Sequence, residues 1–146
     1  GYGIETINQD SLNCCNKKIN IEQCIQAVEM THKAGMKVRL FFIVGLPSDF
    51  GDLSGRIINF LQWAKPDGVN ISTLCVYPGT DIWLNTERYR MNLYNKDLSK
   101  YRFTVGIEED DDFCFDYGGL MSNETLKWHR LRLLRYVKEN KLVLND

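Results

Sequence analysis

Val38-Arg39-Leu40-Phe41-Phe42-Ile43-Val44, running into Gly45-Leu46-Pro47-Ser48-Asp49, is the stretch that decides the fold. Its first part is almost uniformly apolar and rich in branched and aromatic side chains. A strand covered on both faces reads this way, as in a parallel sheet. The Gly-Leu-Pro-Ser-Asp run ends the strand as a loop.

Upstream lies a helix. Asn20 can cap it, and Gln23 stands where it completes a capping box. Ile21, Cys24, Ile25 and Val28 recur at helical spacing. Gly35 follows the last turn, where a left-handed residue stops a helix at little cost. Before this helix, Gly1 to Thr6 reads as the end of another strand. Downstream, a second helix is predicted from about Leu53 to Ala64, with Leu53, Ile57, Ile58, Leu61 and Ala64 on one face. Lys65-Pro66-Asp67-Gly68 terminates it. Val69 to Val76 reads as the next strand, Tyr77-Pro78-Gly79-Thr80 as its exit, and Asp81 as the start of a short helix. This alternation predicts right-handed βαβ units around a parallel sheet.

The remainder is different. Glu87 to Tyr117 has weak periodicity, and the acidic run Glu108-Glu109-Asp110-Asp111-Asp112 reads as a solvated loop. A closing helix is expected from Ser122, as cap, to about Asn140. Leu126, His129, Leu133, Leu134 and Val137 form its buried stripe, with Lys127, Arg130, Arg135 and Lys138 outward. That basic face reads as solvent contact rather than a nucleic-acid footprint.

Composition bounds the class. The chain has 146 residues, 44% hydrophobic and 25% charged, with a formal net charge of -1. These values fit one soluble globular domain and call for neither nucleic acid nor membrane as partner. The longest apolar run, Leu40 to Val44, is far short of the roughly 20 residues that span a bilayer. Gly1 rather than Met stands first, as expected of a trimmed start or a piece of a longer chain. The five cysteines are Cys14, Cys15, Cys24, Cys75 and Cys114. An odd count without a leader predicts free thiols in a reducing, cytoplasmic setting. No CxxC, CxxH or HxxxH spacing occurs, so no self-contained metal site is expected.

Ligands of parallel α/β folds bind at the C-terminal ends of the strands. Gly3-Ile4-Glu5-Thr6, Gly45 to Asp49 and Tyr77 to Thr80 would all point to one rim. They offer backbone groups, carboxylates and hydroxyls, which suits a polar small molecule carrying an aromatic ring. No nucleophile elbow or phosphate loop occurs. His32 and His129 lack an evident Cys or Ser partner, so a surface or packing role is expected of both. Glu5 alone says little as an acid or base, and no catalytic residue is assigned.

The segment Gly3-Ile4-Glu5-Thr6-Ile7-Asn8-Gln9-Asp10-Ser11-Leu12 resembles the "GIES-x-s-Q-x-x-L" segment of radical S-adenosylmethionine enzymes. Lys17, Ile21 to Gly35, Val38 to Asp49 and Tyr77 to Thr80 continue the match in order. Gly45 to Asp49 is similar to the family's "GLPGE" turn, with Ser48 where Gly is common and Asp49 in place of Glu. Phe41 also stands where the strand pattern often has Gly. The resemblance implies α/β architecture of parallel strands: the C-terminal half of a partial (β/α)6, TIM-like barrel over residues 1–90. Residues 91–146 would form a C-terminal extension ending in a helix. Asp97-Leu98-Ser99-Lys100-Tyr101 and the Ser122-to-Asn140 helix resemble the cobalamin-dependent branch, which includes anaerobic magnesium-protoporphyrin monomethyl ester oxidative cyclases.

In that family a CxxxCxxC loop holds a 4Fe–4S cluster, and reductive cleavage of S-adenosylmethionine starts radical chemistry. The loop is absent here, so the chain alone is expected to be inactive and to need the N-terminal half of the barrel as partner. Carried over by position, the resemblance places Glu5, Thr6 and Gln9 near the ribose or amino-acid part of the cofactor. It places Ile43 and Gly45 beside adenine, and Val76, Tyr77 and Pro78 at the adenine edge. Cobalamin is a further cofactor that the branch implies; the substrate is an unnamed small molecule. The alternatives are a non-catalytic half-barrel that acts as an interaction or scaffold module and, more remotely, another βα-barrel enzyme binding a phosphate ligand. An unpaired strand edge further predicts self-association of the chain.

Overall fold

Alternation along Arg39–Val44 sets the layers of the molecule. The computed structural model describes residues 1–94 and 113–142. In β2 (Arg39–Val44), Leu40, Phe42 and Val44 are fully buried, while Phe41 between them is 37% exposed. The strand is thus covered on one face, not on both as the sequence suggested. Successive side chains alternate in direction, and among the described residues the helices pack on the Leu40 side.

β2 is the centre of a three-stranded parallel sheet in the order β1 (Tyr2–Glu5), β2, β3 (Gly68–Thr73). Arg39 pairs with Gly68 and Val44 with Thr73. Tyr2 pairs with Leu40, and an irregularity between Gly3 and Glu5 shifts the register. β3 ends at Thr73 instead of reaching Val76. Leu74 N–H still bonds the Val44 carbonyl at 2.9 Å, but Gly45 at φ 92° turns the partner strand away.

The connecting helices form as their sequences dictate. α2 (Ile21–Lys33) starts at Asn20 with both bonds of the capping box in place and ends before Gly35 at φ 69°. α3 (Leu53–Ala64) is capped by Asp52, whose carboxylate accepts from Gly55 N–H, and it buries Leu53, Ile57, Phe60, Leu61 and Ala64. A further short helix, α1 (Gln9–Cys14), has too few residues to show helical periodicity in the sequence; it is capped by Asn8, which accepts from the Asp10 and Ser11 amides. The helix expected after Thr80 is α4 (Asp81–Leu84).

The described part of the extension is built into the same core. β4 (Asn92–Leu93) pairs antiparallel with β5 (Phe115–Asp116). After a 3-10 turn at Gly118–Leu120, α5 (Asn123–Glu139) begins at its Ser122 cap. It lies against α3 and β3. Leu126, Leu133 and Val137 join Phe42, Leu61 and Ile71 in one hydrophobic cluster. Each such side chain contributes about 1.5–3 kcal/mol of transfer free energy. Arg130, expected to face outward, is fully buried. It falls four residues after Leu126 and three before Leu133, on the line of the buried stripe. The acidic run 108–112 and the likeness at 97–101 lie outside the described residues. Among the described residues, no helix is long and apolar enough to cross a membrane.

Candidate functional site

The parallel register brings the ends of β1, β2 and β3 to one rim, as the motif order anticipated. The first two ends are tied together below the surface. The Thr6 hydroxyl, 1% exposed, donates to Asp49 Oδ2 at 2.5 Å. Asp49, equally buried, accepts from Arg56 Nη2 at 2.6 Å with its other oxygen. Arg56 also donates to the Phe50 carbonyl at 2.9 Å. Asn8 Nδ2 reaches the Ser48 carbonyl at 3.0 Å. A side-chain network therefore joins β1, the loop after β2 and α3.

Two non-glycine residues on this rim adopt left-handed backbone: Glu5 at φ 69° and Ser48 at φ 64°. That conformation costs an L-residue about 1–2 kcal/mol. It also explains why glycine suits the Ser48 position in the turn that this loop resembles. Glu5 folds back to an ion pair with Lys17 at 2.6 Å. Gly3 makes room for the pair, since a Cβ there would stand 2.7 Å from Glu5 Oε1.

Gln9 is engaged within its own segment. Its Nε2 donates to Asn13 Oδ1 and the Ile19 carbonyl, and its Oε1 accepts from the Ile21 amide. It joins α1 to the start of α2 and has these local partners rather than a free amide. Ile43 is half-buried on the open sheet face. Gly45 is closed over by the extension. A Cβ there would lie 2.9 Å from Phe115 and 3.2 Å from Phe113, and its carbonyl accepts from the Tyr117 hydroxyl at 2.8 Å. Phe50 meets Tyr117 edge-on at 5.0 Å.

The third strand end is open. Val76 is fully buried, but Tyr77 is 51% exposed and Pro78, Gly79 and Thr80 lie in solvent. Thr80 Oγ1 donates to the Tyr77 carbonyl at 2.6 Å and closes the turn. No described residue stands within 4 Å of a Cβ at Gly79.

The electrostatics follow the packing. Burial above all, with the neighbouring Cys15, Cys14 and Asp49 adding to it, pushes the Tyr117 hydroxyl well above its ordinary range and keeps it a donor. Desolvation, then Cys14, Asp49 and Glu5, pushes the Cys15 thiol up to about 11. This is the opposite of what an activated thiol needs. All five cysteines are free. Among the described residues, no three His, Cys, Asp or Glu side chains stand together as a metal-ligand set.

Sequence reasoning missed the partners. Arg56 carries no motif, and Tyr117 lies 72 positions from the glycine that it bonds. His129 does have a serine partner, contrary to expectation: its Nδ1 is 2.8 Å from Ser54 Oγ. Both residues lie on buried faces of helices distant in sequence, so spacing could not reveal the pair. His32 bonds the Ala64 carbonyl at 2.9 Å, at the end of α3.

No protein-family model matches the chain, and no solved structure matches it. An uncharacterized methyltransferase of Pyrococcus horikoshii is 29% identical over 82 residues, 56% of this chain and 18% of that protein. The chain thus spans less than a fifth of the length of this curated relative.

Proposed function

We propose that this chain is part of a radical S-adenosylmethionine enzyme and supplies the adenosine side of its cofactor site. In this reading residues 1–90 are the fourth to sixth strands, with their helices, of a partial (β/α)6 barrel, and residues 91–146 are an extension. The observation that carries it is the rim. Three motif-bearing turns, in the order that the resemblance requires, end neighbouring parallel strands on the same side of the sheet. A methyltransferase relative fits a chain that handles S-adenosylmethionine.

The residues fit the adenosine side in part. Tyr77 and Pro78 offer an exposed ring and an apolar surface to a base. Half-buried Ile43 adds apolar surface. Glu5 presents a carboxylate toward ribose or amino groups, with Lys17 beside it. Thr6 and Gln9 act by holding the rim in shape. Gly45 backs onto Phe113 and Phe115 and offers its free side only. When bound together with a reduced 4Fe–4S cluster, S-adenosylmethionine supplies a hydrogen-abstracting carbon radical. The described residues contain no ligand set for that cluster, which is assigned to the N-terminal half of the barrel. Cobalamin use and a cytoplasmic setting belong to the same proposal.

The test is the full-length gene product, reconstituted anaerobically with iron and sulfide and given dithionite and S-adenosylmethionine. The expected product is 5′-deoxyadenosine, reduced at least tenfold in Tyr77→Ala. Formation of S-adenosylhomocysteine without 5′-deoxyadenosine would assign conventional methyl transfer instead.

The closure of Gly45 by Phe113, Phe115 and Tyr117 favours a second reading, a non-catalytic half-barrel that acts as an interaction module. It predicts neither product. In either reading, the outer edge of β1 has no strand partner among the described residues. An apolar groove of about 160 Å³ runs beside it, lined by Tyr2, Ile4, Ile19, Cys24 and Ala27 among others. Such an edge supports self-association of the 146-residue chain, and sedimentation at rising concentration would show it as a growing dimer fraction.

A further inference from the structure

We propose that His129 is an acid-released latch: its neutral imidazole joins α5 to the first turn of α3, and protonation opens that joint. This goes beyond the cofactor reading and does not depend on which ligand the rim takes.

His129 is 3% exposed. Its Nδ1 lies 2.8 Å from Ser54 Oγ and 3.4 Å from Ser54 N–H. Ser54 is the second residue of α3, so its amide is one of the donors that a helix start leaves without an intrahelical acceptor. The adjacent Asp52 carboxylate accepts from Gly55 N–H. The imidazole of another helix therefore serves as the acceptor for Ser54. That role needs a lone pair on Nδ1, which leaves the ring proton on Nε2. The Gly51 backbone is a further hydrogen-bond partner of the ring and, unlike Ser54, favours the imidazolium; Trp128 meets the ring edge-on at 4.8 Å. Ser54 Oγ can donate to Nδ1 because it accepts from Arg132 Nη1 at 3.1 Å.

An imidazolium fits this place badly. It has no lone pair for Ser54, and it would sit at the positive end of α3. The charged groups around it divide. On α5, Arg132 opposes the imidazolium; on α3, Arg56 does the same; Asp52, at the start of α3, favours it. Arg132 also donates to Asp52 at 3.0 Å. Burial is the largest influence and, with the two arginines, holds the His129 pKa below the ordinary histidine value. A depressed folded-state value means that the unfolded chain takes up the proton first. The stabilisation is complete above a pH of about 6.5 and falls as pH drops from there toward the folded-state value.

The test is a nitrogen-detected NMR titration of the 146-residue chain, whose only other histidine is His32. The expected results are a bare Nδ1 at pH 8 and a His129 midpoint below about 6.5. The Ser54, Gly51 and Leu53 amides should follow the same curve. Hydrogen-exchange opening of α5 should rise by up to ~10-fold per pH unit within that window. Ser54→Ala, which removes the donor to Nδ1, should move the midpoint up. In His129→Gln the α5 opening should lose its pH dependence between 7 and 5, and if that variant does not fold, the wild-type titration and Ser54→Ala still decide. A protonated Nδ1 at pH 8, a midpoint at or above the ordinary value, neighbouring amides that ignore it, or an unmoved midpoint in Ser54→Ala would each overturn the latch.

Discussion

The turn after β2 is held from every side, whereas the turn after β3 stands in solvent. The first is bound by Thr6 and Arg56 through Asp49, by Asn8 through the Ser48 carbonyl, and by Tyr117 through the Gly45 carbonyl. The second is held by local bonds, Thr80 to the Tyr77 carbonyl and the Thr80 cap of α4, with Tyr77 and Pro78 exposed. In the proposed reading the difference separates two tasks on one rim: the β2 turn fixes the geometry of the strand ends, and the β3 turn is the one that would meet a ligand.

If so, damage to stability should track the β2 turn and damage to binding the β3 turn. The largest stability loss is expected for Asp49→Ala. It removes the acceptor for a buried hydroxyl and the counter-ion of Arg56, and costs about 3 kcal/mol in urea unfolding, moderated because Arg56 is one-third exposed and can rehydrate. Gly45→Ala is next, at about 2 kcal/mol, because an L-residue at φ 92° is strained and its methyl meets Phe115. Tyr117→Phe leaves the Gly45 carbonyl without its donor and costs about 1 kcal/mol. Ser48→Gly should raise stability by about 0.5 kcal/mol, as relief of left-handed strain outweighs the added backbone entropy. Pro78→Ala should change thermal stability by less than about 0.5 kcal/mol. A β3-turn substitution as costly as Asp49→Ala would show that both turns brace the strand ends.

The elements were legible where local rules govern. The Asn20–Gln23 capping box, the bounds of α3 and the Ser122 cap follow from side chains within one turn of the residues that they serve. So does the rim, because parallel βα connections leave the strand ends on one side. What the sequence hid is contact across distance. Arg130 lies in the buried stripe by helical geometry, but its charge argued for the surface. Phe41 reads as core by composition, yet the described layers cover only the opposite sheet face. Of the proposed site, Glu5, Gly45 and Tyr77 were found through their motif turns. The networks that hold them depend on Arg56, Tyr117 and Ser54, which no motif marks.

In the proposed reading the open rim takes the adenosine part of S-adenosylmethionine. Titrating S-adenosylmethionine into the isotope-labelled 146-residue chain and mapping amide shifts tests it most directly. Shifts centred on Glu5, Ile43 and Val76 to Gly79, with the outer face of α5 unmoved, are predicted. Saturation at millimolar ligand with no shift at that rim, or with shifts confined elsewhere, would contradict it.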